Sequence, residues 1–143
     1  MPSVDENVVS GLIGAIRSLR RPIFKHVSDT GLTPAQFMVL ERLLNKGPGT
    51  VNQIIADTLS TSGNVGLIVN NLIDADLVEK SPNPADGRSR LISLTEKGDA
   101  KIRDYYPRHK AELRRLMSGV SRDDKKNLIK ALSELRRSVD EQL

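Results

Sequence analysis

Apolar residues recur at helical spacing through most of the chain, and the polar residues between them sit where helices start and stop. Val8, Leu12, Ile16 and Leu19 share one face of an N-terminal helix, which Pro22 is expected to kink or restart because proline removes a backbone donor. Thr33-Pro34-Ala35-Gln36 is a capping box with proline at the first helical position. Phe37, Leu40 and Leu44, with Leu43 beside them, give the helix it opens an inner face as far as Gly47-Pro48-Gly49. Thr50-Val51-Asn52-Gln53 is a second box, opening a short helix with Val51, Ile54 and Ile55 inward. After the polar cluster Ser60-Thr61-Ser62-Gly63-Asn64, a third helix runs to about Asp76 on the stripe Val65, Ile68, Val69, Leu72 and Ile73.

The pattern changes after Leu77. Val78 to Ser81 reads as a short strand, residues 82–87 (Pro-Asn-Pro-Ala-Asp-Gly) as a turn cluster, and Arg90 to Thr95 as the returning strand of a hairpin. Beyond Gly98 the helical pattern resumes, with Ile102, Tyr106, Leu113 and Leu116 or Met117 inward. Ser121 then caps a last helix whose Leu128, Leu132, Leu135 and Val139 follow a heptad-like spacing. An apolar seam on a single terminal helix needs a partner, within the subunit or across a twofold axis. Short helices joined by a tight polar turn and followed by a hairpin give the order of a winged helix-turn-helix. The fold class expected is therefore mainly α with a small β-hairpin wing, and such a motif lays its second helix in the major groove of DNA.

Composition narrows the chemistry. A chain of 143 residues is one domain by size, and roughly 45% of it is apolar when glycine is counted, ordinary for a protein with a core. Phe24, Phe37, Tyr105 and Tyr106 are the whole aromatic complement, so that core must be aliphatic. The absence of cysteine removes disulfides, thiolate metal sites, cysteine nucleophiles and thiol-based peroxide or quinone sensing together. His26 and His109, the two histidines, leave little for a metal centre or for histidine catalysis. No Gly-rich phosphate loop, Ser-His-Asp order or carboxylate pair in a motif is present, so neither an enzyme nor a bound cofactor is expected. No apolar run reaches the length of a membrane span, and the N-terminus lacks the basic-then-apolar layout of a signal peptide. The expectation is a soluble cytoplasmic protein with no membrane partner.

The net charge of +4 favours a polyanionic partner, and its placement is uneven. Residues 1–98 are balanced, whereas 99–143 carry twelve basic and eight acidic side chains. That excess serves either as phosphate-directed charge or as a solubilising face. With about 100° per residue, the side of the third helix away from its stripe presents Gly63, Asn64, Leu67, Asn70 and Asn71. Solvating faces are normally rich in Lys and Glu, yet no basic residue lies between Lys46 and Lys80. Asparagine bonds bidentately to the adenine edge and an apolar side chain meets the thymine methyl, so readout on this face leans towards A·T pairs. The other reading of Leu67 is that it packs under the wing or a neighbouring helix. Arg88 and Arg90 flank the hairpin turn, where an arginine can enter a narrow minor groove, with Asp86 placed to hold the Arg88 guanidinium. Taken alone, Asp86 and Arg88 would be an exposed ion pair worth ~0–1 kcal/mol.

These stretches resemble the MarR family of bacterial winged-helix regulators. LTPAQFMVLERLL is similar to the helix leading into the family's DNA-binding lobe, and TVNQIIADTLSTSGNVGLIVNNLIDADLVEK to its helix-turn-helix and wing entry. DGRSRLISLTEKG is similar to its wing signature, Asp-x-Arg followed by apolar-x-Leu-Thr-x-x-Gly. The resemblance implies a homodimer in which the helices of 1–31 and 99–143 interlock, with residues 32–98 as the DNA-binding lobe. Two such lobes would sit on successive major grooves of a near-palindromic double-stranded operator. It assigns the recognition-helix role to Thr61, Ser62, Gly63, Asn64 and Leu67, and the minor-groove role to Arg88 steadied by Asp86. Gly66 stands where threonine or serine is frequent in the family, and Asn71 where arginine is frequent.

The resemblance also implies release of DNA by a small aromatic or amphipathic anion bound between the dimer helices and the lobe. The residues placed to line such a site are Arg17, Arg21, Phe24, His26, Tyr105, Tyr106 and His109. A ligand acts in this way only if it prefers the spacing of the lobes that cannot bind DNA. The function expected is sequence-specific repression of transcription, since a compact dimer offers no surface dedicated to recruiting polymerase. The rival reading is a winged helix used as a protein-interaction module, which shares the fold without the readout.

Overall fold

Most helices begin where a hydroxyl accepts a backbone N–H that has no partner within the helix. Ser3 caps α1 (Val4–Ile23), Thr33 caps α2 (Pro34–Lys46) and Thr50 caps α3 (Val51–Asp57). In these three the side chain of Glu6, Gln36 or Gln53 accepts the cap residue's own N–H in return, completing capping boxes. Thr95 and Ser121 cap α5 (Glu96–Leu116) and α6 (Arg122–Asp140), while α4 spans Ser62–Asp74. The computed structural model describes residues 1–58 and 62–143, with the side chains of residues 62 and 63 outside that description. No helix among the described residues is long and apolar enough to cross a membrane.

Pro22 does not restart the first helix, contrary to one of the two outcomes expected of it. It lies one residue before the end of α1, where its missing N–H costs one bond of a fraying turn. The chain then tightens: Phe24 N–H donates to the Arg21 carbonyl and Lys25 N–H to that of Pro22, leading into a 3-10 turn at Val27–Thr30.

The wing is an antiparallel pair, β1 (Val78–Pro82) and β2 (Arg90–Leu94), in the register Val78 opposite Leu94 through Pro82 opposite Arg90. Gly49 adds a bridge on the other side of β2, exchanging two backbone hydrogen bonds with Ile92 at 3.0 and 2.8 Å. This ties the α2–α3 corner to the wing, a contact that the periodicity did not suggest.

A single core gathers Val27, Leu32, Phe37, Val39, Leu40, Leu43, Ile54, Val65, Val69, Leu72, Leu77, Val78, Ile92 and Ile102. Phe37 is its one aromatic, so the packing is aliphatic as the composition requires. Neither α1 nor α6 has a buried residue. Val8, Ile13 and Ile16 on α1, and Leu128, Leu132, Leu135 and Val139 on α6, remain exposed. Helix α5 runs without interruption from the wing, through Ile102 in the core, to Leu116.

His109 lies two turns beyond Ile102 on the same face of α5 and is 3% exposed. Its ring centroid is 5.0 Å from that of Phe37 and 5.3 Å from that of His26. Both His26 nitrogens and His109 Nδ1 are buried without a hydrogen-bond partner, and His109 Nε2 stands 3.4 Å from Glu41 Oε1. Burial, then the charges of His109 and Arg108, holds the His26 imidazole below its ordinary value, against the opposing pull of Glu112 and Asp29. The tyrosines anchor the same seam, Tyr105 donating to the Asp29 carbonyl at 3.3 Å and Tyr106 to Asn45 Oδ1 at 3.0 Å.

Two outcomes are expected from this packing. A Cβ at Gly98, in the first turn of α5, would run into the Leu77 carbonyl. Gly98→Ala should therefore cost about 1–3 kcal/mol, read as a lowered urea midpoint; an unchanged midpoint would contradict the close approach. Because the folded state takes up a proton on His26 less readily than the unfolded chain, stability is complete above about pH 6.5 and is lost as the pH falls below it. The drop in urea midpoint between about pH 7.5 and about pH 5.5 should shrink in His26→Phe, and an equal drop in both proteins would refute the assignment.

Candidate nucleic-acid interface

Burial of Val65, Val69 and Leu72, with Ile68 and Ile73 half-buried, fixes how α4 is turned about its axis. The opposite arc exposes Asn64, Gly66, Leu67, Asn70 and Asn71. Leu67 is 62% exposed, so it points outward and does not pack under the wing. Up to Asp74 the described part of this arc carries no charged side chain. Thr61 lies outside the described residues. Ser62 and Gly63 belong to the first turn of α4 by their backbone alone.

The frame that presents α4 is held by one ion cluster at the α2–α3 corner. Arg42, its side chain 9% exposed, donates from Nε to Asp57 Oδ2 at 3.0 Å and from Nη1 to the Gly47 carbonyl at 2.7 Å. Lys46 adds a bond to Asp57 Oδ1 at 2.8 Å. The Lys46 hydrogen bond, followed by that of Arg42, keeps the Asp57 carboxyl below the usual carboxylate range even though partial burial pushes the other way. Gly49 lies so close beneath the guanidinium that a Cβ there would stand 2.6 Å from Arg42 Nη1.

At the wing tip the side chains build the turn itself. Asn83 accepts from the Ala85 N–H at 3.1 Å and donates to Ser89 Oγ at 2.8 Å. Asp86 Oδ1 accepts from the Arg88 backbone N–H at 3.0 Å. This corrects the expected pairing of Asp86 with the Arg88 guanidinium. A carboxylate two residues before an N–H closes an Asx turn at little cost in side-chain entropy, whereas an exposed ion pair gains almost nothing. Arg88 and Arg90 are both exposed.

A cavity of about 1060 Å³ opens between α1, α2 and α4. Ile16, Phe24, Met38 and Ile68 give it apolar walls, and Arg20, Arg21 and Asn64 supply polar groups. Of the residues expected at a ligand site, Arg21 and Phe24 line it. Arg17 is exposed elsewhere on α1, and His26, Tyr105, Tyr106 and His109 belong to the seam between α5 and α2. Arg20, Met38, Asn64 and Ile68 also line the cavity, and none of the four was expected at a ligand site. Asn64 and Ile68 sit on the flanks of α4, and only the tertiary packing brings those flanks against α1. Among the described residues no cluster of three or more His, Asp or Glu side chains suits a metal ion.

Comparison with known proteins agrees with this architecture. A model of the MarR family matches residues 30–89, which hold α2, α3, α4, β1 and the wing turn. The HTH-type transcriptional regulator MhqR of Bacillus subtilis is 34% identical over 110 residues, covering 77% of this chain and 76% of that protein. The crystal structure of AbsC, a MarR family transcriptional regulator from Streptomyces coelicolor, superposes with a TM-score of 0.80 at 21% identity, covering 98% and 97% of the two chains. BpsR of Bordetella bronchiseptica, whose structure describes regulation of its DNA binding by 6-hydroxynicotinic acid, superposes with a TM-score of 0.77 at 23% identity over 95% and 97%. MhqR and AbsC are both named as transcriptional regulators. The chain belongs to the MarR family, as a DNA-binding transcriptional regulator built on a winged helix-turn-helix.

Proposed function

We propose that the protein is a homodimeric repressor of an A·T-leaning, near-palindromic operator, and that a small aromatic or amphipathic anion releases it. The observation that carries this reading is the outward arc of α4, where Asn64, Leu67, Asn70 and Asn71 are exposed without a positive charge beside a wing that presents Arg88 and Arg90. Amide side chains with a leucine suit the adenine edge and the thymine methyl, and wing arginines suit the narrow minor groove of A·T-rich DNA. Asp86 contributes by shaping the turn that carries Arg88.

The exposed apolar faces of α1 and α6 support the dimer, with 1–31 and 99–143 as the dimerisation segments and 32–98 as the lobe. Ligand release has its own support in the cavity. One wall belongs to α1 and another to α4, so a molecule filling it biases the placement of the recognition helix against the dimer helices. Arg20 and Arg21 beside apolar walls suit an anion with an apolar body, the chemistry of the ligand named for BpsR.

Selection of bound duplexes from a random pool at near-physiological salt should return an A·T-rich inverted repeat with half-sites about 10 base pairs apart. Arg88→Ala should weaken binding to that duplex by on the order of 1–3 kcal/mol. Recovery of no motif by the folded dimer would favour the protein-interaction module instead, and full affinity in Arg88→Ala would remove the wing from the interface. Leu132→Asp should lower the solution mass from twice 15.8 kDa towards 15.8 kDa by light scattering, and a mass unchanged by the substitution would take α6 out of the dimer contact.

A further inference from the structure

Among the described side-chain positions of α4, Gly66 is one that the chain's own packing does not explain. Gly49 and Gly98 each have a neighbour where a Cβ would go, whereas Gly66, like Gly11 and Gly14 in α1, has nothing within 4 Å; it differs from those two in lying on α4 beside the exposed Asn70. Its backbone is ordinary right-handed helix, a conformation open to every residue except proline. A glycine in a helix interior weakens the helix relative to alanine, through the freedom it loses on folding. Nothing inside the molecule offsets that loss. The residue is exposed, directly before Leu67 and one turn before Asn70 on the uncharged arc.

We propose that Gly66 is a specificity-determining position, an inference that rests on the DNA-reading arc described under Proposed function. The missing side chain lets the helix backbone come against the floor of the major groove. The space it leaves beside Asn70 takes the thymine methyl, the one apolar group on the groove edge of a base pair. A Cβ at this position occupies the volume that the methyl needs.

The test uses the full chain and two probes: the duplex that the unsubstituted protein selects from a random pool, and a scrambled duplex of equal length and composition at the same salt. Gly66→Ala should melt at a temperature equal to or above that of the unsubstituted protein and bind the scrambled duplex within about twofold. Its affinity for the selected duplex should fall by about tenfold or more. Repeating the selection with Gly66→Ser should lose a thymine preference at one position in each half-site. Undiminished binding of the selected duplex by folded Gly66→Ala, or an equal loss on both probes, would overturn the proposal. If the unsubstituted chain selects no duplex, the DNA-reading arc fails and the assignment of Gly66 fails with it; a selected duplex indifferent to the substitution sinks the assignment alone.

Discussion

Val65, Val69 and Leu72 lie three and four residues apart, and burying all three leaves α4 a single rotation about its axis. That rotation decides three surfaces at once. Asn64, Leu67, Asn70 and Asn71 are turned to solvent, Asn64 and Ile68 reach a cavity against α1, and the stripe itself closes the core against α2. A small turn of the helix would disturb all three together, because no flank of α4 is idle. The Arg42–Asp57–Lys46 cluster guards this arrangement by tying α2 to the end of α3 just before the chain enters α4. Its strength comes from a guanidinium almost withdrawn from water and bonded on two sides, unlike the exposed pairs elsewhere on the molecule.

A second constraint is how little of the chain the core can cover. Its buried apolar residues run from Val27 to Ile102, and the long helices at either end contribute none. Helices of about twenty residues with apolar faces left in water are costly to a monomer, since the stabilisation of such helices comes from packing one face. Helix α5 joins the two regimes. Its first two-thirds is seated on the lobe through Ile102, Tyr105, Tyr106 and His109, and the remainder leaves the core behind. One continuous helix, with Pro107 in its middle, therefore runs from the wing to the segment that leads into α6.

The histidine pair, His109 buried and His26 half-buried, sits on that seam. Its three unpartnered ring nitrogens make it the most polar part of an otherwise aliphatic interior, and it is packed between Phe37 and the N-terminal part of the chain. Sequence gave no ground for placing His26 there. A histidine after a helix end reads as a surface residue until the fold closes over it. His109 did carry a signal, because it falls two turns after Ile102 on the inward face of α5, but a titratable residue on an apolar stripe is easily passed over.

What could be read from the residues alone was whatever depends on local periodicity and local hydrogen bonding. The boxes at Thr33 and Thr50, the stripe of α4, the turn cluster before Arg90 and the uncovered seam of α6 each involve residues a few positions apart, and the structure has them all. The outward identity of Leu67 followed from the same period. The tertiary structure decided what depends on residues far apart in the chain: the Gly49–Ile92 bridge, the closeness of Gly98 to Leu77, the walls of the cavity and the burial of the His26 ring nitrogens. Even Asp86, two residues from Arg88, took a partner that composition did not favour. Opposite charges suggest an ion pair, yet in a tight turn the backbone N–H is already within reach and its bond costs no further side-chain order. Periodicity determines which face of each element is apolar, but only the assembled fold determines what that face meets.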